Sequence, residues 1–113
     1  MDRVKRYRDV IRELIARYAQ FKPSYGEVAV ETVLDEANDH YELMYAGWHG
    51  YRRIHGTVIH VDIRDAKVWI QHDGTEEGIA EELVQAGIPR EDIVLGFQSP
   101  DARKHTEYAA VPG

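Results

Sequence analysis

Over residues 4–21 the apolar side chains Val4, Tyr7, Val10, Ile11, Leu14, Ile15, Tyr18 and Phe21 recur three or four positions apart. At about 100° per residue they fill an arc of about 140°, which predicts an amphipathic helix with one buried side. Asp2 stands where a cap or first-turn acid is favourable, and Lys22 with Pro23 ends the segment by charge and by backbone restriction. From Glu27 the period falls to two. Val28, Val30, Thr32 and Leu34 alternate with Glu27, Glu31 and Asp35, as a half-buried antiparallel strand requires.

Three further strand-like runs follow, "HYELMYAGW", "YRRIHGTVIHVDI" and "KVWIQH", joined by connections short enough for hairpins. The four runs predict an antiparallel meander. Asp73, with Glu76 three positions on, has capping-box spacing for a second helix, and Thr75 is a rival cap. Ile79, Ala80, Leu83 and Val84 supply that helix's apolar stripe, and Gly87 and Pro89 mark its end. "DIVLGF" is nearly continuous in apolar residues, the pattern of a fifth strand buried on both faces. The tail "QSPDARKHTEYAAVPG" is weakly specified, with its last residues expected to be loose. The predicted class is α+β: an N-terminal helix, a four-stranded antiparallel meander, a second helix and a fifth strand. All lie in one compact domain spanning residues 1–113, with one sheet face packed on helices.

Composition supports this picture. With 43% hydrophobic and 30% charged residues in 113 positions, the chain has ordinary globular usage and is long enough for one core. The absence of cysteine excludes disulfides, thiolate nucleophiles and cysteine zinc sites, and fits a reducing cytoplasmic setting. Charges interrupt "MDRVKRYRDVIRELIARY", so it is not the continuous apolar segment of a signal peptide or membrane span.

The net charge of −6 is unevenly distributed: residues 1–22 carry seven Lys/Arg and three acids, so the remainder carries −10. Phosphate backbones are held mainly by Lys and Arg. A broad DNA-binding face is therefore excluded beyond the first helix, where Lys5, Arg8 and Arg12 form a strip that could follow a DNA backbone. The same strip can be relieved locally, Asp9 with Arg12 and Glu13 with Arg17 having helical contact spacing.

Candidate chemistry is sparse. His60 and Asp62 share a strand face, and His72 on the neighbouring strand could join them as metal ligands, although polar residues on an open sheet face commonly just meet water or cross-strand partners. Asp62, Asp73 and Glu76, with Lys67 beside them, would be the hard-oxygen set of a magnesium-dependent nuclease, but Asp73 and Glu76 already suit a helix start. No GxSxG elbow or glycine-rich phosphate cradle occurs. The residues call for no cofactor, no metal and no catalytic set.

Partner binding fits better. Glu76, Glu77, Glu81 and Glu82, with no Lys or Arg from 75 to 87, would repel phosphate and could dock a basic protein. Arg52 and Arg53 suit a protein partner, and the aromatics Trp48, Trp69, Tyr41, Tyr45 and Tyr51 are core or interface anchors. If Trp69 points away from Val68 and Ile70, something besides the first helix must cover it, either the second helix or a partner chain.

In order, "YRDVIRELIARY", "PSYGEV", "DHY", "GW", "RR" ahead of "IHGTVIHVDI", "KVWIQHDGTE", "GIPREDIVLGF" and "SPDARKHTEYA" resemble the XisI family, the fdxN element excision controlling factors of cyanobacteria. The resemblance covers nearly the whole chain. It implies a non-enzymatic accessory role in programmed excision of a DNA element, beside an XisH-like companion and a site-specific recombinase. It supplies no catalytic residue. Contact with the XisH-like protein, or with a second copy of the chain, is the expected mode of action; direct contact with DNA through Lys5, Arg8 and Arg12 is the alternative, and a metal-dependent nuclease-like enzyme the third reading.

Overall fold

The apolar stripe of the N-terminal segment forms helix α1 (Arg3–Tyr18) in the computed structural model, which describes residues 2–113. Asp2 caps it, its side chain accepting from the Val4 amide at 3.0 Å. Tyr7, Ile11, Leu14 and Ile15 are the buried face.

The alternating segments pair as β1 (Glu27–Asp35), β2 (His40–His49), β3 (Arg52–Arg64) and β4 (Lys67–Asp73), an antiparallel meander in sequence order. β5 (Ile93–Leu95) joins β4 in parallel and is buried throughout. The sheet is thus mixed, and the parallel step requires the crossover that carries helix α2 (Ala80–Gln85).

Two bulges set which residues meet. In β3, Val58 is the extra residue where pairing shifts from Met44↔Thr57 to Leu43↔Ile59. In β4, Gln71 is the extra residue between the pairs His60↔His72 and Val61↔Ile70. The β3–β4 turn puts both Asp65 and Ala66 at positive φ (52° and 61°), the conformation of a two-residue hairpin loop whose twist suits the strands.

One sheet face, with Tyr41, Leu43, Ile59, Val61, Ile63, Val68 and Ile70, packs against α1 and against Ile79, Leu83 and Ile88 around α2. Burying each aliphatic side chain of this kind contributes about 1.5–3 kcal/mol before entropy is charged against it. α1 is tied to its neighbours by side chains: the Tyr7 hydroxyl donates to buried Asp92, and Tyr18 and Arg17 both reach Glu82. Burial and then the Asp92 bond push the Tyr7 phenol up to about 12. Arg17 therefore finds a tertiary acid rather than Glu13, the helical neighbour expected for it.

Three other expectations need correction. Asp73 does not cap α2, which starts seven residues later. Its Oδ1 accepts from the Thr75 amide (3.0 Å) and hydroxyl (2.5 Å), and its Oδ2 from the Ile79 amide (2.7 Å). These bonds close a polar turn that competes with helix, while Glu76 stays exposed. The far end of α2 is as expected, with Ile88 N–H bonded to the Leu83 carbonyl and Gly87 N–H to that of Val84 around Gly87 at φ +108°.

Neither α2 nor a second chain covers Trp69. Val94, Ala109 and Val111 pack against it and leave it 4% exposed, with the guanidinium carbons of Arg64 and Arg103 4.2 and 5.2 Å from its ring centre. The C-terminal segment is accordingly anchored rather than loose. Arg103, at the end of helix α3 (Pro100–Arg103), is 2% exposed and donates to the main-chain oxygens of Leu95, Gly96, Val111 and Gly113 at 2.9–3.3 Å. No helix among the described residues is long and apolar enough to cross a membrane.

Candidate functional site

Side chains alternate across β2 and β3. With Tyr41, Leu43, Ile59 and Val61 committed to the core, His40, Glu42, His60 and Asp62 share the opposite face. The Val58 bulge brings His40 opposite Asp62 and Glu42 opposite His60. Asp62 Oδ1 lies 3.0 Å from His40 Nδ1 and 3.0 Å from His60 Nε2. His40 Nε2 lies 2.7 Å from Glu42, whose other oxygen accepts from the Thr57 hydroxyl at 2.7 Å. The two imidazoles meet edge to face, 4.5 Å between ring centres.

The hydrogen bond to Glu42, opposed by partial desolvation and aided by the charge of Asp62, holds His40 above the usual imidazole range. Glu42 is held below the usual carboxylate range: burial works against this, but the bonds from Thr57 and His40 prevail.

His72, expected as the third member of this group, is paired with His60 in backbone register but is exposed and outside the convergent donors. His40 takes its place. The nuclease set does not assemble either. Both Asp73 oxygens are engaged in the 73–79 turn, Glu76 is exposed, and Lys67 stands at the opposite end of β4 from Asp73.

Two members of the basic strip are already paired. Arg8 grips Asp39 through Nε (2.7 Å) and a second nitrogen (3.1 Å), and Arg12 reaches both Glu36 and Asp9. The Arg8 bond holds the Asp39 carboxyl below its usual range, against some burial and with help from Tyr41. Lys5 remains exposed. The acids in and before α2 are partly used as well: Glu81 accepts from Arg90 at 2.7 Å and from the Tyr108 hydroxyl, and Glu77, which precedes α2, is exposed. Trp69, buried under the chain's own tail, has no surface to offer a partner, which corrects its assignment as a contact residue.

The remaining candidates gather at the β2–β3 hairpin tip. β3 continues beyond its last pairing with β4 at Ile59, so residues 52–58 project with β2 past the rest of that side of the sheet. Trp48 is 50% exposed, the Arg53 guanidinium stacks over it at 5.2 Å, and Arg53 also donates to the Gly47 carbonyl at 3.2 Å. Tyr51 is fully exposed, Arg52 is exposed, and Tyr25 meets His49 with ring centres 5.3 Å apart. Gly47 is required beneath this cluster, because a Cβ there would stand 2.0 Å from the Glu27 carbonyl oxygen. The tip is an aromatic and cationic knob in which Trp48 and Tyr51 are both exposed.

The comparisons agree with this architecture. The XisI protein family profile matches residues 1–110. The crystal structure of a XisI-like protein from Anabaena variabilis superposes with a TM-score of 0.90 at 42% identity, covering 96% of this chain and 99% of that one. The crystal structure of the fdxN element excision controlling factor XisI from the same species gives 0.85 at 35% identity, covering 97% and 100%. No curated protein matches. With nearly the whole length matched in sequence and in fold, the chain belongs to the XisI family.

Proposed function

We propose that this protein is a non-enzymatic controlling factor for programmed excision of a DNA element, acting through contacts with another polypeptide. The name of its relative, an fdxN element excision controlling factor, supplies the process. The carrying observation for the mode of action is the hairpin tip, where Trp48, Tyr51, Arg52 and Arg53 are exposed together. Tryptophan, tyrosine and arginine are the residue types enriched among interface hot spots, and a stacked Arg–Trp pair is held in place before binding. An XisH-like protein is the proposed partner, with a site-specific recombinase or a second copy of the chain as the other protein candidates.

Direct DNA contact through α1 is disfavoured because Arg8 and Arg12 already hold Asp39, Glu36 and Asp9. A phosphate would have to displace those carboxylates. Exposed Glu77 adds to the acidic surface on the α2 side.

Co-expression with the XisH-like protein, affinity capture and sizing of the eluate test the proposal. A complex of defined stoichiometry is expected, weakened about 30-fold or more by Trp48→Ala or Arg53→Glu, as befits loss of a hot spot of about 2 kcal/mol. Capture unaffected by either substitution would overturn the assignment of the tip. A salt-sensitive gel shift abolished by charge reversal at Lys5, Arg8 and Arg12 would replace protein contact by DNA contact.

A further inference from the structure

His40, His60 and Asp62 point their donor atoms at one spot on the sheet face away from α1. We propose that this trio is a binding site for a first-row transition metal ion, zinc above all, with His40 Nδ1, His60 Nε2 and Asp62 Oδ1 as protein ligands. The proposal does not depend on excision as the process or on the hairpin tip as the contact surface.

Spacing is the first argument. Zinc bonds of about 2.0–2.2 Å in tetrahedral geometry set neighbouring donors about 3.3–3.5 Å apart. The two nitrogens each lie 3.0 Å from Asp62 Oδ1, and a ligand atom from each of the three residues lies within 4.8 Å of the others. An ion therefore enters by spreading the donors a few tenths of an ångström, without moving a strand. All three side chains project from paired positions of two bonded strands, so the site is preformed by the register.

The second argument is the shell behind the ligands. A metal-bound imidazole usually gives its other nitrogen's proton to a carboxylate, a backbone carbonyl or water, which fixes ring orientation and tautomer. His40 has such a partner in place: Nε2 faces Glu42 at 2.7 Å, and Glu42 is itself held by Thr57. Gln71 approaches the second oxygen of Asp62 at 3.5 Å. An ordinary cross-strand His–Asp pair needs neither of these supports.

The donor set selects the ion. Two imidazoles and one carboxylate favour zinc, copper, nickel or iron over calcium or magnesium, which prefer oxygen throughout. On binding, the metal takes the nitrogen lone pairs of His40 and His60, and any proton shared there with Asp62 is released to solvent. The residues are only partly buried, so water can complete the coordination.

Titration calorimetry of tag-free, chelator-treated protein with zinc chloride tests the site, with the unliganded folds of all variants compared by circular dichroism. One zinc per chain is expected. Glu42→Gln should weaken binding about 10–100-fold, as for other supporting carboxylates. His40→Ala, His60→Ala and Asp62→Asn should each weaken it more, and His72→Ala should leave it unchanged. Cobalt in place of zinc should give the intense visible bands of four-coordinate geometry, lost in His60→Ala. Absence of zinc binding at micromolar concentration, retention of it in folded His60→Ala, or its loss in His72→Ala would overturn the proposal.

Discussion

Arg103 offers a sharp test of how the two sides of the sheet are held. The residue is 2% exposed and its guanidinium is satisfied by four main-chain oxygens, with Trp69 beside it. Hydrogen bonds from a charged donor contribute about 1.5–3 kcal/mol each, but four on one group are not additive. An acceptor left buried without a donor costs about 1–3 kcal/mol, and with several carbonyls orphaned at once Arg103→Ala should cost about 3–5 kcal/mol. Against a total stability of about 5–15 kcal/mol this is a large share. The loss is also local: the segment after α3 is held by the small cluster of Trp69, Val94, Ala109 and Val111, whereas the α1 face has its own, larger core. Urea unfolding measures the total. Hydrogen exchange resolves where it falls, because the Ala109 amide donates to the Ile93 carbonyl at 2.8 Å only while the tail is docked. In Arg103→Ala that amide should lose protection before those of β2 and β3, and Trp69 fluorescence should shift to the red. Arg103→Lys, with three donors on a compact ammonium, should recover part of the stability. A loss under about 1 kcal/mol with Ala109 still protected would refute the anchor.

Other outcomes follow from single contacts. Tyr7→Phe removes a donor from Asp92, which is 6% exposed, and should cost about 1.5–3 kcal/mol by urea melting. Ala66→Gly relieves a left-handed residue in the β3–β4 turn; the strain of about 1–2 kcal/mol less the entropy of a freer unfolded chain leaves a gain of about 0.5–1 kcal/mol, read as a raised melting temperature. The Asp39 carboxyl is held low by Arg8, so its contribution is present above the unfolded value near about 4 and is lost as pH falls through the lower folded value. Stability measured from pH 5 downward should fall less steeply in Arg8→Met than in the parent. Equal slopes would show that the pair is not coupled to folding.

Most of the fold was legible because burial imposes a period on the sequence. The seven stripe positions from Val4 to Tyr18 in α1, Val28 and Val30 in β1 and the continuous apolar run of β5 are covered as their periods require, whereas Phe21, beyond the end of α1, and Thr32 and Leu34 in β1 are exposed. The start of α2 was not, because Asp73 and Thr75 serve a polar turn as well as they serve a cap, and only tertiary context decides. The histidine cluster was half legible. Alternation within β3 puts His60 and Asp62 on one face, but the partner strand's contribution depends on register. Strict pairing counted back from the Gly50–Tyr51 turn sets His40 against Val61; the extra residue Val58 shifts it to Asp62. The recurring His-x-acid pattern at 40–42 and 60–62 was the available signal, and a bulge was needed to use it. The Arg103 anchor left no comparable mark, since a lone arginine in a tail reads as solvated until its carbonyl partners are in place.

Contact with another polypeptide through the hairpin tip is the claim on which the functional account rests, and hydrogen-exchange mapping of the complex with the XisH-like protein tests it most directly. Binding should slow exchange in residues 47–53 and leave the exposed side of α1 unchanged. Protection confined to α1, appearing with duplex DNA and without the protein partner, would contradict it.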